Sequence, residues 1–114
     1  MGGGEKLNVN ILGTNYEVRN ITEKDYPKLS KMGANGLCEL YSKEIIINSE
    51  MNPNSGEEFA NFKDFENKVL RHEIVHAFFH ESGLDDYTRD EDLVNWIAIQ
   101  FPKMLKAFQD TNCL

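Results

Sequence analysis

The sequence predicts an α+β fold, with strands gathered in the N-terminal half and helices in the C-terminal half. Three observations carry this expectation: β-branched residues around a Gly-Thr-Asn turn within residues 7–21, three consecutive isoleucines at 45–47, and long helical apolar patterns from residue 59 onward. A chain of 114 residues matches the size of one domain, and no repeat, low-complexity block or linker divides it. Residues 1–6 read as a flexible tail ahead of a single domain over residues 7–114; Lys6 stands where a myristoylation signal would need Ser or Thr.

Each element follows from local chemistry. LNVNILGTNYEVRNI (residues 7–21) alternates β-branched and polar residues about its turn, as a hairpin does. Thr22, followed three positions later by Asp25, caps a short helix that turns Leu29 and Met32 inward and stops at Gly33; Pro27 fits only its first turns. GLCELYSKEIIINSE (residues 36–50) reads as strand, turn, strand, its isoleucines buried on both faces or beneath a helix. After the loop-forming MNPNSGEE, a helical pattern runs over residues 59–82 and ends at Gly83. A last helix begins near Arg89 with an inward stripe of Val94, Ile97, Ala98, Phe101, Leu105 and Phe108, and Pro102 is expected to kink or divide it.

Composition narrows the function. A net charge of −7 and a pI near 4.9 oppose binding to a phosphate backbone, which needs clustered Lys and Arg. The sequence offers no apolar run of bilayer length and no leader, so an unexported, cytoplasmic protein is expected. Cys38 and Cys113 are isolated, which suits a reducing compartment better than a disulfide framework or a metal site.

The chemistry concentrates in LRHEIVHAFFHES, where His72, Glu73 and His76 form HExxH. Helical residues four apart lie about 40° and about 6 Å from each other, so both imidazoles can reach one ion while Glu73 stays beside them as a base. Leu70, Ile74, Val75, Ala77, Phe78 and Phe79 cover most of the remaining circumference and predict a deeply buried helix. His72, His76, His80 and Glu73 share an arc of roughly 100°, and buried polar groups need partners. Zinc accepts neutral imidazoles and keeps a position for water in catalytic sites. His80, two turns from His72, lies too far along a straight helix to join them and is expected to serve elsewhere.

The third ligand is less direct. The HExxHxxGxxH pattern is broken by Phe79 and Ser82, which leaves an acidic ligand from Glu81, Asp85, Asp86, Asp90, Glu91 or Asp92. Glu91 lies three residues before Val94 and seven before Ala98, on the inward face, and Asn95 one turn on could orient a ligand histidine. Alternatively, Thr88 and Glu91 form a capping box and Glu91 only closes the helix start.

HEIVHAFF followed by EDLVNWIA resembles the ImmA/IrrE family of small metallopeptidases, across roughly residues 36–101. Val94 and Ile97 replace the Ala and Phe of that family's second motif, His80 is an addition, and no helix-turn-helix segment accompanies the motifs. The resemblance implies a minimal zincin-like domain: a small, mostly antiparallel sheet packed on the HExxH helix and a C-terminal helix. It implies Zn2+ held by His72, His76 and Glu91, with Glu73 catalytic. The implied partner is a protein or peptide substrate, repressors and other regulatory proteins of phages and mobile elements among them.

Peptide hydrolysis through a zinc-activated water, with Glu73 as general base, is therefore the expected activity. His80 and Tyr87 are the sequence's candidates for an oxyanion donor, and Glu44–Asn48 for a substrate-pairing edge or, equally, an interior strand. The competing expectations are a catalytically inert zinc-binding interaction module and a metal-free protein with an accidental motif.

Overall fold

The computed structural model describes residues 6–51, 53 and 56–114. It is α+β: a four-stranded sheet ordered β1-β2-β4-β3, with a long helix across one face. Residues 1–5 of the expected tail lie outside the described residues. Lys6 already pairs with Arg19, so the first strand starts one residue before the expected boundary.

Strands β1 (Lys6–Ile11) and β2 (Thr14–Ile21) form the predicted antiparallel hairpin. Its turn lies one residue earlier than expected, on Leu12 and Gly13, both at positive φ as a type I′ turn requires. Helix α1 (Lys28–Met32) buries Leu29 and ends at Gly33 as expected, but Met32 is exposed, because so short a helix presents only one residue to the sheet. Strands β3 (Gly36–Glu39) and β4 (Glu44–Asn48) pair antiparallel, and β4 pairs parallel with β2. Two of the three ladders are thus antiparallel. β4 is interior, which removes it as a substrate-pairing edge; the free edges belong to β1 and β3.

The isoleucines split between the faces, as alternation along a strand dictates. Ile45 and Ile47 join Ile11, Tyr16 and Val18 against Phe65, Val69 and Ala77 of helix α3 (Phe62–Glu81), while Ile46 packs with Leu29 and Leu37 on the opposite face. A short helix α2 (Gly56–Ala60) precedes α3. α3 is buried along one stripe only, at Phe65, Val69, Glu73 and Ala77, and Phe78 is exposed. The expected all-round burial fails because a single sheet can cover just one side of a helix. Several of the remaining apolar residues, Ile74, Val75, Phe78 and Phe79, line an open groove beside the last helix.

Gly83, at φ 76°, stops α3 by turning the chain where a Cβ would be strained, and Leu84 N–H bonds back to the Phe79 carbonyl. Helix α4 (Asp85–Thr88) then leads into helix α5 (Glu91–Asp110). α5 is not divided at Pro102. Proline has no N–H to offer the carbonyl four residues back, that of Ala98, and Arg71 of α3 donates its Nε–H to that oxygen instead, at 2.6 Å. Val94 and Ala98 are buried, yet Phe101 and Phe108 of the expected inward stripe are exposed, Phe101 bordering the open groove with Phe78 and Phe79 of α3. Glu81 ties the far end of α3 to the hairpin and the β3–β4 turn by accepting from Lys43, Tyr16 and Thr14, and these bonds hold its carboxyl down to about 2.

Candidate metal centre

His72 and His76 project from one side of α3 toward the start of α5, where Glu91 is the first helical residue. His72 Nε2 lies 2.9 Å from Glu91 Oε2, His76 Nε2 lies 3.1 Å from Glu91 Oε1, and the two Nε2 atoms are 3.2 Å apart. Donors about 2.0–2.2 Å from a tetrahedral zinc stand about 3.3 Å from one another, so this triad is close to ligand spacing. Among the described residues it is the one cluster of three such donors.

A neighbouring hydroxyl sets the tautomer of His76. Thr88 Oγ1 donates to the His76 carbonyl at 3.0 Å and also lies 3.1 Å from His76 Nδ1. With its single proton committed to the carbonyl, the hydroxyl must accept from Nδ1–H, and a neutral His76 is left with a bare lone pair at Nε2. Burial lowers the His76 pKa and favours that neutral form, against the opposing pull of Glu91. A bare nitrogen facing a carboxylate oxygen at 3.1 Å is a pair of acceptors, which a shared cation stabilises.

Thr88 therefore does what was expected of Asn95, and the Thr88–Glu91 capping box does not form. Asp90 is the N-cap, accepting from Leu93 N–H. Asn95 lines the cleft beside His72 and Glu73. Glu91 does not face the core as its periodicity implied: its side chain is 67% exposed and reaches back to the imidazoles from the helix start. Four of the other acidic candidates are engaged elsewhere, Asp85 with His80, Asp86 with Arg89, Glu81 in the hairpin network and Asp90 as the N-cap. His80 and Tyr87 stand off from the cleft; His80 bonds Asp85 at 2.7 Å and Tyr87 packs on Phe79.

Glu73 lies in the buried stripe, 7% exposed, against the edge strand β3. The approach is possible because residue 36 has no side chain. A Cβ there would fall 2.9 Å from Val69 Cγ1 and 3.0 Å from both Cγ and Oε2 of Glu73. Neither Gly36 nor Thr88 was identifiable as part of the site from spacing: one depends on a pairing across the fold, and the other mimics a helix cap.

Burial, reinforced by the Glu91 charge, pushes the Glu73 carboxyl up to about 8. Between pH 4.5 and 8 the folded protein keeps a proton that the unfolded chain has released, so this group's contribution to stability falls as pH rises through that window. The depressed His76 acts in the opposite sense, but only below its ordinary 6.5. Chelator-treated protein is therefore expected to lose about 2 kcal/mol between pH 6.5 and pH 8, at about 1.4 kcal/mol per pH unit. Denaturant titrations should show that slope in the wild type and its disappearance in Glu73→Gln.

No helix among the described residues is long and apolar enough to cross a membrane. Comparison with family models, curated proteins and solved structures finds no match for the chain.

Proposed function

We propose that this chain is a zinc-dependent peptidase with a minimal zincin-like fold, of the type that the ImmA/IrrE resemblance implies. The observation that carries the reading is the convergence of His72 Nε2, His76 Nε2 and the Glu91 carboxylate within 4.8 Å, next to the buried Glu73 carboxylate, which is outside that cluster. Two imidazoles and one carboxylate are a donor set of catalytic zinc sites, and Thr88 holds one imidazole in the ligating tautomer. Zinc, when bound, supplies Lewis acidity toward the scissile carbonyl and acidifies water.

The chain's own residues divide the remaining work. Ionised Glu73 takes the proton of the attacking water and returns it to the departing amine; a cation held between the imidazoles and Glu91 would offset the burial and the Glu91 charge that raise its pKa. Its contact with Gly36 keeps that carboxylate aimed beside the imidazoles. The free edge of β3 borders the same cleft, so an extended peptide can pair with it by backbone hydrogen bonds.

Elemental analysis of protein purified without chelator tests the reading. About one zinc per chain is expected, with affinity falling at least about hundredfold in His72→Ala, His76→Ala and Glu91→Ala, and about tenfold in Thr88→Val. Tight zinc retained by Glu91→Ala would reject the third ligand. Zinc-loaded protein that cleaves no peptide would leave an interaction module in place of an enzyme.

A further inference from the structure

The cleft differs in chemistry on the two sides of the histidines. On one side a cavity of about 240 Å³ is bordered by Asn35, Lys68 and Asn95 together with His72 and Glu73. Lys68 lies one helical turn before His72, and Asn95 one turn after Glu91, so both point along the same opening. Among the described residues no carboxylate forms an ion pair with Lys68, whose ammonium lies 5.0 Å over the Phe65 ring. Lys68 also borders a second depression, which Glu57, Glu58, Asp64 and Arg71 share with it.

On the other side a cavity of about 620 Å³ reaches His76 and Glu91 and has an apolar wall of Met32, Ala34, Leu37 and Leu40. Its cation, Arg89, is engaged by Asp86. Gly36 borders both cavities, so a peptide extended along β3 would pass from one to the other across the imidazoles.

We propose that the site selects peptides carrying a carboxylate that lodges beside Lys68 and Asn95, with an apolar residue against the Met32–Leu37 wall across the scissile bond. This rests on the peptidase reading above. In a chain of net charge −7, a half-buried lysine bordering the cleft, with no ion pair among the described residues, is suited to an anionic group on the ligand. The Asn95 amide can donate a hydrogen bond to the same group, and the exposed Met32 gains cover from an apolar side chain.

The experiment is a cleavage profile of zinc-loaded full-length protein on a mixed-sequence peptide pool, read by mass spectrometry. Cut sites should be enriched in Asp or Glu at one fixed distance from the bond and in apolar residues on the other side. In the best single peptide, acidic to amide replacement should lower kcat/KM about fivefold. Lys68→Glu should reverse the preference at that position to Lys or Arg, keep the apolar preference and keep one zinc per chain. Peptides with free and amidated C-termini separate a side-chain carboxylate from a terminal one. Cleavage with the same preference in Lys68→Glu as in the wild type overturns the subsite, while no cleavage by any zinc-loaded form overturns the peptidase reading beneath it.

Discussion

Under the proposed peptidase reading, Glu73→Gln is expected to lower peptide hydrolysis by about three orders of magnitude without loss of bound zinc, the range lost when a positioned general base is removed. The amide has the same shape, so the buried slot between Val69 and Gly36 stays filled and the three converging donor atoms are untouched. It cannot hold the proton. Because that proton moves only on the way to the transition state, kcat should fall with little change in KM. Steady-state kinetics beside zinc analysis of the same preparation check both halves. A variant that loses metal would show Glu73 to be a ligand, and one that keeps full activity would show that another group takes the proton.

Gly36→Ala should produce the second largest effect, at a position that touches no ligand. The added methyl would meet Val69 and Glu73 at distances that side chains do not tolerate. Either α3 lifts from β3 or the Glu73 carboxylate swings aside, and a displacement near 1 Å at a reacting group costs about a hundredfold in rate. Overpacking adds about 1–3 kcal/mol of lost stability. Zinc content should survive, since the atoms nearest the added methyl belong to Val69 and Glu73 and not to either imidazole. Activity, thermal melting and metal analysis on one sample distinguish this from loss of the site. Unchanged kcat would mean that the close approach is slack.

Much of this was legible along the chain because the informative spacings are local. The four-residue interval of HExxH gives a shared helical side wherever the helix lies, and the isoleucine run gives a strand with two covered faces. Glu91 was found through an argument that holds only in part: it does lie on the stripe of Val94 and Ala98, yet at the helix start it is exposed, and it meets the imidazoles by reaching backward. Long-range placement was not legible. Which strand forms an edge depends on β4 entering between β2 and β3, and the contact of Gly36 with Glu73 joins residues far apart in sequence. The place of Thr88 in the site was not legible either, because a threonine three residues before a glutamate signals a helix cap whether or not Asp90 takes that task.

The bond from Arg71 to the Ala98 carbonyl joins the carrier of the two imidazoles to the carrier of the carboxylate. A proline in mid-helix is usually counted as damage to a hydrogen-bond ladder; here the oxygen it releases becomes the anchorage for a second helix. The three donors are thus fastened in register by the polypeptide itself, and an arriving ion would meet an assembled claw with little ordering left to impose.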